Sequence, residues 1–264
     1  IRRPPRSTPK PSSAASDVYK RQQLSLNRPK QRNALSNDLI AKLAEIFEVA
    51  WDSSEVRCCV LVGVGDIFSA GADIKEMEAD GINAIDNIQR KKNWALIEQF
   101  PKPIIAAVEG YAFGGGHELA LVADLIVASE DSRFGQPEIN LGILPGDGAT
   151  QRLTRVAGKS LAMQMMLTGD PISAETAYAA GLVSCLVPSG RALEEALKLA
   201  VSIAKKSPIA AQLVKTSIKS AYETSLSAGL EVERQAIRQA FAKDSHVEPM
   251  RKFVGRKNLT KTRG

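Results

Sequence analysis

The sequence predicts an α/β protein whose C-terminal part is helical. Short β-type runs alternate with helical patterns in the first half of the chain, whereas helical patterns dominate after Pro145. Of the 264 residues, 44% are hydrophobic and 24% are charged, as in an ordinary globular protein of one or two domains. The longest apolar runs, such as Ile104–Val108, are far shorter than the roughly 18 residues that a transmembrane helix needs.

In chain order, the first predicted element is a strand at residues 23–26. Ser36 has the side chain of a helix N-cap, and the apolar residues after it recur at helical spacing. Residues 57–62 and Ile104–Val108 are β-type runs, each followed by glycine. The remaining predictions are a strand at 124–128 and helices near 118–122, 151–157, 160–168, 174–180, 190–206, 209–222 and 226–242.

The three cysteines predict reduced thiols rather than a disulfide framework. An odd number cannot pair completely, and Cys58 and Cys59 are neighbours in a strand-like run. Successive side chains of a strand point to opposite faces, so these two thiols cannot face each other. We expect both to be buried.

Residues 1–22 are rich in Arg, Ser and Pro and hold too few apolar residues to pack a core. Such a segment is typical of a mitochondrial transit peptide. However, no Met begins it, its prolines would interrupt an amphipathic helix, and it resembles a translated library adapter. We interpret it as a non-native or disordered leader, followed by a core at 23–200 and a helical C-terminal region with a basic tail at 201–264.

The net charge of +6 resides in the two ends of the chain. Residues 1–22 carry six basic and one acidic residue, and residues 251–264 carry six basic residues and no acid. The body between them has 23 basic and 28 acidic residues. A basic end can bind nucleic acid or can simply be solvated, so the alternative of an RNA-binding or scaffolding protein rests on these ends.

A metal site is not expected. His117-Glu118 begins the pattern of a helical zinc site, but Leu121 stands where the second histidine belongs. The chain has one other histidine, His246, far along the sequence.

Two carboxylates next to glycine-rich turns carry the chemistry. Glu118 follows Gly114–Gly116 at the start of a helix, and Glu138 lies in a loop. The N–H of Gly115, with a second donor from the 69–72 loop, could stabilise an oxyanion. This set suits proton transfer beside a carbonyl. Alternatively, Glu118 caps a helix and Glu138 is a surface residue of a loop.

Several segments, taken together, are similar to the enoyl-CoA hydratase/isomerase (crotonase) family. The resemblance runs in order from about residue 23 to 255. It is carried by Asn27-Arg28-Pro29, 68–77 (FSAGADIKEM), 106–120 (AAVEGYAFGGGHELA), 134–138 (FGQPE), 144–153 (LPGDGATQRL), 167–170 (LTGD) and 180–183 (AGLV). It implies a spiral of ββα units with a helical C-terminal trimerisation region, and therefore a homotrimer or a homohexamer.

The resemblance also implies an activity, that of an enoyl-CoA hydratase that adds water to trans-2-enoyl-CoA. Ala72 and Gly115 match the family positions whose N–H groups form the oxyanion hole, and Glu118 and Glu138 match the paired hydratase carboxylates. CoA belongs to the substrate, and no cofactor is required. Substrate contacts are implied for Lys30, Arg32, Ala70, Asp73, Ile74 and Gly146, although Lys30 and Arg32 could equally be exposed loop charges.

Three residues depart from the family pattern, and one of them is Ala149, which stands where Gly is common. His117 stands where Cys or an apolar residue is common, and is either a packed neutral side chain or a group that tunes Glu118. Asp147 stands in the loop beside the acyl pocket, and is either a turn residue or a third carboxylate that alters acyl preference.

An enoyl-CoA isomerase or another acyl-CoA enzyme of the family is the first alternative. For a hydratase we expect no nucleic-acid or membrane partner. The expected location is the cytoplasm, or the mitochondrial matrix if residues 1–22 are a genuine transit peptide.

Overall fold

The computed structural model describes residues 20–244 and 246–261. Residues 1–19, which make up most of the predicted leader, lie outside this part. The strands, in chain order, are β1 (Arg21–Leu26), β2 (Cys58–Gly63), β3 (Ile104–Val108), β4 (Tyr111–Phe113), β5 (Leu125–Ser129), β6 (Arg133–Gly135), β7 (Ile172–Ser173) and β8 (Cys185–Val187).

Helices connect the strands and make up most of the chain after β6. They are α1 (Asn37–Asp52), α2 (Ile74–Asp80), α3 (Ile82–Asp86), α4 (Ile88–Gln99), α5 (Gly115–Val122), α6 (Ala149–Ala157), α7 (Lys159–Thr168), α8 (Ala174–Ala179), α9 (Ala192–Ala204), α10 (Pro208–Ser220), α11 (Leu226–Ala242) and α12 (Val247–Lys261). Short 3₁₀ helices form at Pro29–Gln31 and Pro137–Leu141. The predicted α/β fold with helices at the C-terminus is confirmed.

The strands form two sheets. Five parallel strands lie in the order β1-β2-β3-β5-β8, and β4, β6 and β7 form a second sheet. The helix predicted after Ser36 is present as α1, and the Ser36 hydroxyl accepts the Leu39 N–H at 3.2 Å as an N-cap.

Side chains of β2 alternate between two hydrophobic layers. Cys59 and Leu61 pack into the main core, whereas Cys58 and Val60 face α9 on the other side of the sheet. The two thiols are buried and free, as predicted. A run of alanines every fourth residue, Ala192, Ala196 and Ala200, lets α9 lie close against the sheet.

The C-terminal helices are attached to this core by a buried lysine. Lys215 of α10 donates to Asp124 Oδ2 at 2.8 Å and to the Lys102 carbonyl at 2.9 Å. Asp124 also accepts the N–H of Ile104 at the start of β3. These acceptors offset the free-energy cost of burying the charged ammonium group of Lys215.

The two ends of the described chain extend the predicted elements. β1 begins at Arg21, which pairs with Cys58, so Arg21 and Gln22 belong to the sheet although we assigned them to the leader. At the other end, α12 lies within the region predicted to be helical with a basic tail. Its apolar residues Val247, Met250, Phe253 and Val254 recur at helical spacing.

Two loops meet backbone to backbone where the main sheet joins β4 and α5. Ser69 donates its N–H to the Tyr111 carbonyl at 3.2 Å, and its own carbonyl accepts from Phe113 at 3.0 Å. A Cβ added to Gly116 would lie 2.6 Å from the Ser69 Cβ. A Cβ added to Gly71, where φ is +111°, would lie 2.9 Å from the Phe113 carbonyl oxygen. Glycine is therefore required at both positions.

Gly116→Ala is expected to lower the free energy of unfolding by about 1–3 kcal/mol, the usual cost of overpacking. Replacing a helical glycine ordinarily has the opposite effect, a gain of about 1 kcal/mol. Gly255→Ala in α12 is the matched control, because an added Cβ meets nothing within 4 Å there. Urea unfolding of the three proteins measures the difference. Equal stabilisation by both substitutions would contradict the close approach.

Candidate active site

A cavity of about 610 Å³ lies beside the contact between the two loops. Its volume is within the range of small-molecule sites. Eight of the ten site residues predicted from the sequence line it: Ala70, Ala72, Asp73, Ile74, Gly115, Glu118, Glu138 and Gly146.

The other two predicted residues, Lys30 and Arg32, do not line this cavity. Both are exposed in the turn around Pro29–Gln31. The carbonyl of Arg32 accepts the Ala70 N–H at 2.9 Å, so the turn is joined to the cavity wall through its backbone. Their predicted contact with CoA phosphates remains a prediction.

The backbone N–H groups of Ala72 and Gly115 lie close together at this cavity. A Cβ on Gly115 would stand 3.3 Å from the Ala72 nitrogen, and a Cβ on Gly71 3.4 Å from the Gly115 nitrogen. Gly115 is the first residue of α5, where helical N–H groups have no partner within the helix. Within residues 20–244 and 246–261, neither N–H donates to a backbone or side-chain acceptor. The pair can serve one shared oxygen.

The Glu118 carboxylate is buried, with 2% of the residue exposed. Its Oε1 accepts the N–H of Asp147 at 2.8 Å and that of Ala149, the first residue of α6, at 3.0 Å. Glu118 therefore meets the N-terminus of a neighbouring helix instead of capping its own, whose N-cap Gly114 makes no side-chain cap bond.

Burial raises the pKa of Glu118 from its ordinary value of 4.5 to about 7. The negative charges of Asp147 and Glu138 raise the pKa further, while the N–H donors of Ala149 and Asp147 lower it. A carboxyl group with a pKa near 7 exchanges protons readily at neutral pH.

Glu138 lies in the 3₁₀ helix after β6 and is half-buried at the cavity, which argues against a loose surface residue. When the Gln136 amide is oriented so that both of its ends have partners, its nitrogen donates to Glu138 Oε1 at 3.0 Å and to Oε2 at 3.1 Å. Burial is also the main cause that raises the Glu138 pKa, and the Asp147 charge adds to it.

Asp147 is a third carboxylate of the cavity wall, paired with a residue that sequence reasoning missed. Its Oδ2 lies 2.6 Å from Arg90 Nη2, and Arg90 also lines the cavity. Burial raises the Asp147 pKa and outweighs the opposing Arg90 charge. Arg90 lies in α4, 57 residues before Asp147, in no pattern that marks it as functional.

Asp73, which follows Ala72 in the cavity wall, forms a second ion pair, with Arg28. Its Oδ2 lies 2.9 Å from Arg28 Nη1, which also donates to the Ala34 carbonyl. The hydrogen bond and charge of Arg28 lower the Asp73 pKa. The Arg28 side chain thereby joins the turn after β1 to the loop of Ala72.

His117 is fully buried on the side of α5 that packs against β6. Burial lowers its pKa to about 4, so the imidazole is neutral. Its ring packs against Phe134, with ring centroids 5.4 Å apart, and Nδ1 lies 3.1 Å from the Gln136 amide. Of the two interpretations offered by the sequence, the structure fits the packed neutral side chain.

The family model described as enoyl-CoA hydratase/isomerase matches residues 22–261. The chain belongs to this family. The resemblance found in the motifs is therefore confirmed, and with it the expectation of an enzyme of the enoyl-CoA hydratase type.

Relatives of the enoyl-CoA hydratase/isomerase family cover nearly the same part of the chain. The 2,3-dehydroadipyl-CoA hydratase of Escherichia coli is 46% identical over 88% of this chain and 91% of its own length. The mitochondrial enoyl-CoA hydratase of Pongo abelii is also 46% identical, over 88% and 80% respectively.

Solved structures of the family confirm the predicted crotonase-like fold. An enoyl-CoA hydratase subunit from Geobacillus kaustophilus superposes with a TM-score of 0.88 at 37% identity, covering 92% of this chain and 95% of that one. The enzyme from Bacillus anthracis gives 0.84 at 36% identity, covering 90% and 93%. No helix of the described residues is long and apolar enough to cross a membrane.

Glu118→Gln is expected to stabilise the fold at pH 8 and to change it much less at pH 5. The wild-type carboxyl has a pKa of about 7 when folded and about 4.5 when unfolded, so the folded state loses stability as pH rises between these values. This difference in pKa corresponds to a loss of at most about 3 kcal/mol in the free energy of unfolding. Glutamine keeps an oxygen for both N–H donors and does not ionise.

Urea unfolding at the two pH values measures this difference, with Glu45→Gln on the exposed side of α1 as the control. A pH-independent difference between Glu118→Gln and wild type would show that the buried charge does not cost stability.

Proposed function

We propose that the protein catalyses reversible syn addition of water to a trans-2-enoyl-CoA, which gives a 3-hydroxyacyl-CoA. The observation that carries this proposal is the convergence of two carboxylates and two backbone N–H groups on one cavity. Water addition needs all four, because a nucleophilic oxygen must be deprotonated and the α-carbon protonated while negative charge develops on the thioester oxygen.

The N–H groups of Ala72 and Gly115 bind that oxygen and stabilise the enolate-like charge. Glu118 orients the water and takes one of its protons as the water oxygen bonds to the β-carbon. Glu138 helps hold the water and gives a proton to the α-carbon. Glu118 thus gains one proton and Glu138 loses one. Proton exchange between the two carboxyls restores the starting state.

The reaction adds water without oxidation or reduction, so the proposal includes no redox cofactor and no metal, and CoA enters as part of the substrate. An enoyl-CoA isomerase, which moves the double bond and adds no water, is the alternative. A hydratase removes the conjugated double bond of crotonyl-CoA and with it the ultraviolet absorbance of that bond, whereas an isomerase interconverts 3-enoyl and 2-enoyl thioesters.

Glu118→Gln and Glu138→Gln are each expected to lower kcat on crotonyl-CoA by about 10²–10⁴-fold, the usual contribution of general acid–base catalysis. The double variant should lose little more than either single one, because the two groups act on one water. KM should change much less, since CoA binding lies elsewhere. Steady-state hydration assays of the four proteins measure this.

Glu45→Gln, in the exposed part of α1, is the matched control and should hydrate at the wild-type rate. Unimpaired turnover by Glu138→Gln would refute the two-carboxylate mechanism. A wild-type protein that isomerises but does not hydrate would favour the alternative.

The proposed assembly is a trimer, or a dimer of trimers, formed by the helices after residue 200. The support in this chain is an apolar surface on α10, α11 and the turn between them. The residues Ile218, Tyr222, Leu226, Leu230, Ile237 and Phe241 are exposed there in the single chain. Ile209 and Leu213, which precede them at helical spacing, are half-buried.

Ile218→Asp is expected to weaken this assembly, because a carboxylate would be buried in an apolar contact. Thr216→Asp on the same helix is the control, since residues two positions apart point in nearly opposite directions. Multi-angle light scattering should give three or six chains for wild type and for Thr216→Asp, and smaller species for Ile218→Asp. A monomeric wild type would contradict the proposal.

The proposed location is the cytoplasm. The mitochondrial matrix is the alternative. The genomic sequence upstream of the present start distinguishes the two, since it shows whether a targeting segment is encoded.

A further inference from the structure

Two buried side chains, His117 and Gln136, form a line from α5 to the second carboxylate of the cavity. His117 of α5 contacts the Gln136 amide, and the other end of that amide contacts both oxygens of Glu138. His117 and Gln136 are 0% exposed. The sequence offered His117 either a packing role or a tuning role toward Glu118, and it assigned no role to Gln136.

The amide of Gln136 can point in two directions, and only one satisfies its neighbours. With its nitrogen toward Glu138, it donates to both carboxylate oxygens, and its oxygen accepts from His117 Nδ1 at 3.1 Å. Reversed, the amide oxygen would face the carboxylate oxygens, and acceptor would meet acceptor. The second orientation leaves the half-buried Glu138 carboxylate without these two donors, which costs stability.

The tautomer of His117 and the direction of the amide depend on each other. A neutral imidazole carries one N–H. If this N–H is at Nδ1, it donates to the Gln136 oxygen and turns the amide nitrogen toward Glu138. If it is at Nε2, the Nδ1 lone pair attracts the amide nitrogen and turns the amide away from its productive direction.

The surroundings of His117 favour the Nδ1–H tautomer. Nε2 is buried and has no partner within hydrogen-bond geometry in the described chain, although the Gly135 carbonyl lies near the ring and raises the His117 pKa against the larger effect of burial. The Phe134 ring packs beside the imidazole. An unpaired buried N–H donor is less tolerated than an unpaired acceptor, so the proton belongs on the nitrogen that has an acceptor.

We propose that His117 is a positioning residue that fixes the direction of the Gln136 amide and thereby holds Glu138 in place for proton transfer. The inference rests on the proposed hydration and deepens it. It also means that α5 positions both carboxylates, because Glu118 directly follows His117 in this helix. Glu138 is held from the same helix through two neutral side chains, His117 and Gln136.

Two substitutions of His117 separate positioning from packing. His117→Phe keeps an aromatic ring against Phe134 but removes the donor. His117→Asn is smaller, yet its amide nitrogen lies at about the same distance from Cα as Nδ1 and can still donate to Gln136. We therefore expect Phe to be the more stable variant and Asn the more active one.

His117→Phe is expected to lower kcat on crotonyl-CoA by about tenfold or more, which is less than the full 10²–10⁴-fold contribution of a catalytic acid or base, with KM nearly unchanged. In a Gln136→Leu background the same substitution should have almost no further effect, because the link is already broken. A purely structural role predicts that activity follows melting temperature and that the two substitutions are additive. Either of these results would overturn the proposal.

The tautomer is measured directly on the wild-type protein, without an activity assay. The chain has two histidines, so ¹⁵N-labelled histidine gives few signals, and His246→Gln assigns them. We expect His117 to carry its proton on Nδ1. An Nε2–H tautomer in an enzyme that hydrates crotonyl-CoA would overturn the positioning role alone. A wild-type protein without hydratase activity would overturn the proposed function, and with it the catalytic purpose of the link.

Discussion

The site depends on one close approach, in which the loop containing Gly71 packs backbone to backbone against the turn that begins α5. A side chain on Gly71 or Gly116 would overlap backbone or side-chain atoms of the opposite segment. The hydrogen bonds of Ser69 with both ends of β4 hold the two segments at this separation. As a result, the N–H groups of Ala72 and Gly115, which have no partner in the secondary structure, lie close together at the wall of the cavity.

The same approach places an acidic group where water is largely excluded, and this has an energetic consequence. Glu118 is buried between α5 and the start of α6, and only backbone N–H groups donate to it within the described chain. Burial of an ionisable carboxyl lowers the stability of the folded state at neutral pH. The core of the two sheets, with β2 buried on both faces, supplies the stability that a strained or charged site removes.

The sequence predicts those features that depend on residues close together in the chain. Ser36 caps α1, and the alternation of Cys58 and Cys59 follows directly from strand geometry. Glu118 and Glu138 were found because glycine-rich turns precede them or lie near them. In contrast, the Arg90–Asp147 pair joins segments that are far apart in the chain, and its contact follows only from the packing of α4 against the loop before α6. The direction of the Gln136 amide is likewise set by tertiary contacts alone.

Charge is distributed around the cavity in a way that suits proton transfer. A carboxyl group that gives or takes a proton near neutral pH needs a raised pKa, and an adjacent cation would lower that pKa. The two glutamates are instead held by neutral donors, namely backbone N–H groups for one and the Gln136 amide for the other. Had His117 and Gln136 been replaced in this role by a lysine or an arginine, Glu138 would remain ionised and could not deliver a proton. Three cations in and beside the cavity wall pair with aspartates: Arg28 with Asp73, Arg90 with Asp147, and Lys91 with Asp86.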